Sequence, residues 1–170
     1  GKHNGNVSQG GCWVVKLRYW HILKANKITA KPVSHLFVDV ESHVTDVNPT
    51  EQKHAFWFGW CCYWRRRPEH NQDTIEYKRF TTISDFWNIV ENRVRPKNPL
   101  YLVSHNAGYD FAILKIFENL EAAGFKMYSI YLGNLSVILR FRRGKEKIVV
   151  LDNANYFQGK LASLGEAIGY

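Results

Sequence analysis

The sequence predicts a single α/β domain, an α+β arrangement with helices packed against a mixed β-sheet. Three observations carry that prediction. Short apolar runs rich in Val, Ile and aromatic residues recur at residues 35–42, 54–64, 100–104 and 147–151, with the length and composition of buried strands. Between them stand apolar residues at helical spacing, first Ile83, Phe86, Trp87, Val90 and Val94, then Phe111, Leu114, Phe117 and Leu120. The 170 residues, 45% hydrophobic and 15% aromatic, suffice for one buried core and exclude a disordered chain.

Residues 1–11, with four Gly and two Asn, read as a flexible leader, and residues 12–170 as the domain. From Trp13 the alternation of Trp13, Val15, Leu17 and Tyr19 with Lys16 and Arg18 predicts a half-buried strand running towards Leu23. A loop at 24–27 and Pro32 precede the run at 35–42. A polar stretch over 42–53 follows. Residues 54–64 are apolar on both alternating faces, as in a strand covered on two sides or one covered on one side and extended into a ribbon, and Trp57, Trp60 and Trp64 are expected in the core rather than as stacking platforms.

The turn-rich segment 68–73 joins that run to 74–81 as an antiparallel hairpin, with Arg65, Arg66 and Arg67 at its tip as solvated charges or phosphate contacts. The first helix takes Thr82 or Ser84 as N-cap and ends before Pro96. The second runs from about 109 to 123, where Gly124 stops it. Strands at 126–131, 135–141 and 147–151 follow, then a helix presenting Leu161, Leu164 and Ile168. The basic run Arg140, Arg142, Arg143, Lys145 and Lys147 reads either as a solvated hairpin tip or as a phosphate-gripping finger beside a cleft.

The 23 Lys and Arg outnumber the 15 Asp and Glu, for a net charge of +8. That excess points to an anionic partner, nucleic acid first, with a basic protein lacking such a partner as the alternative. Cys12, Cys61 and Cys62 form neither a disulfide framework nor a zinc spacing. They are expected as packing residues in a reducing compartment. No apolar run approaches the roughly 20 residues of a membrane span, so the expected setting is cytoplasmic or nucleoid-associated, without a membrane partner.

The chemistry concentrates in two places. Asp39 and Glu41 end the run at 35–42 and, two apart on a strand, project from one face with α-carbons about 6–7 Å apart. Two neighbouring carboxylates repel and lose solvation, and a divalent cation is the simplest partner. The second place is Ser-His-Asn-Ala-Gly-Tyr-Asp at 104–110, where a strand gives way to a helix and open α/β sheets collect ligands. Asp110 falls in the first helical turn, where it and Asn106 could equally be capping residues.

Together these segments resemble a known family. Asp39-Val40-Glu41, followed by Asn106-Ala107-Gly108-Tyr109-Asp110, is similar to the first two motifs, Asp-x-Glu and Asn-x-x-(Phe/Tyr)-Asp, of the DEDD-type 3′–5′ exonucleases. The nearest likeness is to the proofreading domain of family-B DNA polymerases of the protein-primed, phage and organellar type. Leu151-Asp152-Asn153 leading through Tyr156-Phe157 to Leu161-Ala162-Ser163-Leu164 resembles a third family segment, and the similarity spans roughly residues 33–170.

The resemblance implies a ribonuclease H-like fold and hydrolysis of phosphodiesters at a DNA 3′ end with two Mg²⁺ or Mn²⁺ ions. Asp39, Glu41 and Asp110 would be the metal ligands and catalytic residues. Asn106, Tyr109 and Asn153 would bind the single-stranded or frayed 3′ end, beside the polymerase domain of a parent chain. Asn153 stands where the family has Ser or Thr. The family's fourth acid, in a Tyr-x-x-x-Asp motif on a later helix, has no counterpart up to Tyr170. The chain is therefore expected to be a fragment or to lack one ligand. It also carries no polymerase Tyr-x-Asp-Thr-Asp motif. Two rival expectations are a free-standing RNA or DNA exonuclease and a non-catalytic module binding nucleic acid or a partner protein.

Overall fold

The computed structural model describes residues 31–67, 69, 72–132, 137–157 and 159–169. The expectations for a leader at 1–11, a strand from Trp13 and a loop at 24–27 lie outside the described residues. In chain order the elements are β1 (Ser34–Asn48), β2 (Glu51–Arg65), β3 (Thr74–Phe80), α1 (Ile83–Glu91), β4 (Leu100–Ser104), α2 (Ala107–Ile113) and α3 (Ile116–Ala122), then β5 (Lys126–Leu132), β6 (Val137–Arg143), β7 (Glu146–Asp152) and α4 (Leu161–Ala167). The described strands form one mixed sheet in the order β3-β2-β1-β4-β7-β6-β5. β1, β4 and β7 run parallel, and the other neighbouring pairs are antiparallel.

Alternation on β1 divides the sheet into two unlike faces. Leu36, Val38 and Val40 are buried and join Leu100, Leu102, Ile148 and Val150 in a core closed by Phe86 and Val90 of α1 and Phe111 of α2. Phe37, Asp39 and Glu41 lie on the opposite face and are exposed. Trp60, the β2 partner of Asp39, shares that open face and is 52% exposed. Trp57 is 53% exposed, with its ring 4.6 Å from His43. The expectation of three core tryptophans is thus corrected for Trp57 and Trp60: β2 is covered on one side only, and Trp64 alone is partly buried.

The polar stretch 42–53 forms the end of β1 and the start of β2 about a turn at 49–50. β1 and β2 continue past the rest of the sheet as a two-stranded ribbon, with an irregularity between Glu41 and Ser42. Ladder hydrogen bonds use the backbone, so polar side chains do not interrupt them. The reversal at 49–50 is held by Asn48, whose Oδ1 accepts from the Thr50 amide at 3.0 Å and from its hydroxyl at 2.9 Å, a turn role that suits Asn.

The second helix also departs from expectation. It breaks in two around Lys115, whose φ of 52° is left-handed. The Leu114 carbonyl at the break accepts from Trp87 Nε1 at 2.8 Å, so a buried acceptor is satisfied without a continuous helix. Gly124, with φ 81°, ends α3 as anticipated, and the Phe125 amide donates back to Leu120. At the chain's end α4 buries none of its residues, and Leu161 and Ile168 are 51% and 75% exposed.

The basic hairpin tip is not beside the cleft of the candidate site. Gly144 and Lys145 join β6 to the start of β7, whereas Asp152 ends β7, roughly 20 Å further along a seven-residue strand. Arg143 there is tied to Glu91 and Glu146 and donates to the Ala123 carbonyl at 2.8 Å. These carboxylates hold its guanidinium even more firmly protonated than usual.

Candidate active site

Parallel registration places the candidate residues at one end of the sheet. Phe37 on β1 is level with Val103 on β4, and Ser104 is level with Asp152 on β7. Asp39 therefore emerges two residues beyond the last β1–β4 pair, where β4 turns into α2. This is the carboxyl end of parallel strands, where α/β sheets hold ligands.

Asp110, in the first turn of α2, is 5% exposed. Its carboxylate accepts a hydrogen bond from Ser104 Oγ. Burial pushes its pKa from 3.8 up to about 6, the Ser104 bond opposes that rise, and the charges of Asp39, Asp152 and Glu41 add to it. The charges of both acids of the β1 pair thus act in the same direction on Asp110 as its burial does. Asp110 does not cap its own helix; it is a desolvated carboxylate among other carboxylates.

Asp152 does the capping. One oxygen accepts from the Ala154 amide at 2.9 Å, closing the strand in an Asx-type turn, and the other accepts from the Ala107 amide at 3.1 Å. The side chain ties the end of β7 to the start of α2. Asp152→Ala is expected to cost about 1–2 kcal/mol, as loss of a helix cap does, measured as a lower midpoint in urea unfolding.

Asn106 is the N-cap residue of α2 yet makes no side-chain capping bond, and it is exposed. Its amide is therefore left for another partner, and the capping alternative does not hold for it. Asn153 is half-buried in a 3-10 turn that follows β7. Its Nδ2 lies 3.4 Å from His105 Nδ1, while His105 Nε2 lies 2.7 Å from the Gly159 carbonyl. Donation to that carbonyl places the proton on Nε2 and leaves Nδ1 to accept from Asn153. Tyr109 is half-buried, and its hydroxyl bonds Ser42 and His54.

A cleft of about 270 Å³ opens on the uncovered sheet face, lined by Phe37, Asp39, Trp60, Ser104, His105 and Asn153 among others. It brings two of the motif residues, Asp39 and Asn153, to one concavity.

No protein-family model, curated protein or solved structure matches the chain.

What the site can do follows from its donors. Asp39, Glu41, Asp110 and Asp152 make no salt bridge to a basic side chain among the described residues, although the chain carries +8. Carboxylates offer oxygen donors, the chemistry that hard divalent cations prefer, and of these acids Asp110 is bonded to the Ser104 hydroxyl while Asp152 is taken up by the Ala107 and Ala154 amides. Among the described residues no three His, Cys, Asp or Glu side chains are grouped closely enough to hold one metal ion. Asp39 and Glu41 face outward while Asp110 is buried.

Three polar partners at the site had no role in the motif: Ser104 as the donor to Asp110, and Ser42 with His54 as the partners of Tyr109. Ser104 was visible in the motif segment. His54 lies 55 residues from Tyr109, and no local pattern announces that meeting.

Among the described residues no helix is long and apolar enough to cross a membrane.

Proposed function

We propose that this chain is the 3′–5′ exonuclease region of a family-B-like DNA polymerase or of a related phage or mobile-element protein, with a ribonuclease H-like fold. The observation that carries the reading is the burial of Asp110 in the first turn of α2, just past the end of β4, the parallel neighbour of the strand that bears Asp39 and Glu41. The motif order Asp-x-Glu, then Asn-x-x-Tyr-Asp, agrees with it. The mixed sheet with helices against its core face supports the fold.

In this reading Asp39, Glu41 and Asp110 would hold two Mg²⁺ or Mn²⁺ ions, which would supply activation of water and charge stabilisation at the leaving 3′-oxygen. Ser104 orients the Asp110 carboxylate. Tyr109 packs against the terminal nucleotide, a contact worth about 1–3 kcal/mol per stacked base. Asn106 and Asn153 offer amides to the sugar–phosphate backbone. The cleft flanked by Trp60 and Phe37 lies along the approach to Asp39.

The test is digestion of a 5′-labelled single-stranded DNA by this chain with Mn²⁺ or Mg²⁺, beside Asp39→Ala. Weak Mn²⁺ binding with poor or no shortening from the 3′ end is expected of this chain, which lacks the family's fourth acid, and any shortening falls at least ~100-fold in the variant, the upper end of what disturbing a metal site costs. Cleavage undiminished by Asp39→Ala would show the carboxylates to be structural. The outward placement of Asp39 and Glu41 favours a second reading, a non-catalytic module that binds nucleic acid. That reading expects DNA binding indifferent to both metal and the substitution.

A further inference from the structure

We infer that Ser42, Tyr109 and His54 form a clamp that positions the candidate acids, with His54 as its keystone; this inference rests on the metal-dependent reading above. Each of the other two members is the sequence neighbour of an acid. Ser42 follows Glu41 at the irregularity in β1, and Tyr109 precedes Asp110 on α2.

The Tyr109 hydroxyl stands 2.5 Å from Ser42 Oγ and 2.8 Å from His54 Nδ1, and Ser42 Oγ is 3.3 Å from the same nitrogen. The His54 and Tyr109 rings meet edge to face, with centroids 5.4 Å apart. Two proton arrangements satisfy the chain: Ser42 donates to the Tyr109 oxygen and Tyr109 to His54 Nδ1, or Nδ1–H donates to Tyr109 and Tyr109 to Ser42.

The clamp joins three separate pieces of backbone. Ser42 and His54 come from the two strands of the ribbon, and Tyr109 comes from the helix packed beside it. Ribbons tied only to themselves twist and swing, and a shift of about 1 Å in a ligand is enough to impair a reaction centre. Pinning Tyr109 to both strands fixes the separation of Glu41 from Asp110. His54 touches neither acid in this arrangement, so its role is to hold Tyr109 against Ser42.

The experiment measures Mn²⁺ binding to the 170-residue chain from the electron paramagnetic resonance signal of the free ion, with melting temperatures recorded in metal-free buffer. His54→Ala and Tyr109→Phe are each expected to weaken Mn²⁺ affinity about tenfold, as loss of an outer-shell partner does. The double variant is expected to be no weaker than either single one, because both remove the same clamp. His54→Asn places its amide where Nδ1 stands and is expected to recover most of the affinity. Wild-type affinity in His54→Ala, while Asp39→Ala loses binding, overturns the clamp and leaves the metal site standing. Multiplicative losses in the double variant, or no recovery in His54→Asn, overturn it as well. If the wild-type chain binds no Mn²⁺, or binds it equally after Asp39→Ala, the metal-dependent reading falls and the clamp's role falls with it.

Discussion

Asp110→Asn is expected to make the metal-free protein more stable at neutral pH and, under the proposed function, to remove whatever cleavage the chain performs. The buried carboxylate titrates near 6 instead of 3.8, a displacement equivalent to about 3 kcal/mol. The sign follows from which form the fold prefers. Because the folded-state pKa is raised, the stabilising contribution of protonated Asp110 is fully present below about 3.8. It is lost as pH rises through about 6. Above that, folding must bury a charge among other charges. Asparagine keeps an oxygen to accept from Ser104 and carries no charge, so the pH-dependent loss between about 4 and 6 should vanish.

Urea unfolding of both proteins at pH 4, 5, 6 and 7 checks this. The two curves should separate as pH rises, by about 3 kcal/mol at pH 7. If a divalent cation binds at Asp110, Mn²⁺ should raise the wild-type melting temperature and leave the variant's unchanged. A stability gap independent of pH would mean that Asp110 is not the strained group described above.

Gly59→Ala is expected to be the most damaging small substitution in the sheet. A methyl group there would run into Phe80 Cζ and stand 2.7 Å from its Cε2 and 2.9 Å from the Asp39 carbonyl oxygen. Phe80 is 2% exposed, with its ring 5.8 Å from that of Phe56 and 5.1 Å from that of Phe86. It has no room to retreat, and the Asp39 oxygen belongs to the β1–β2 ladder. Overpacking of this kind costs about 3 kcal/mol, which for a domain of this size lowers the melting temperature by roughly 10 °C. The strand carrying Asp39 would shift too, so Mn²⁺ binding should weaken. Gly108→Ala is the control: nothing lies within 4 Å of its added carbon, and alanine within α2 should be neutral or stabilising by about 0.5–1 kcal/mol. Equal melting temperatures for wild type and Gly59→Ala would refute the packing argument.

Where patterning is local, the sequence was legible. Residues 100–104 form the short buried strand that their apolar run announces. Thr82 caps α1 by accepting from the Asp85 amide at 3.1 Å, and Gly124 ends α3. Residues whose state depends on a remote partner were not legible. Trp57 and Trp60 carry the composition of a core, but only tertiary packing decides which sheet face receives helices. Leu161 and Ile168 on α4 show a helical stripe that meets no core among the described residues. The helix expected over 109–123 is interrupted at Lys115, and the Leu114 carbonyl there is taken by Trp87, 27 residues away.

The same division runs through the candidate site. That Asp39 and Glu41 share a face, and that Asp110 enters with the first turn of a helix, follows from strand and helix periodicity, which the chain carries in itself. That Asp110 is buried beside Ser104, that Asp152 is occupied in capping α2, and that Tyr109 is held by His54 were decided only by the fold. Hydrogen bonds and desolvation depend on distances through space, and a linear pattern encodes those only where neighbours in space are also neighbours in sequence.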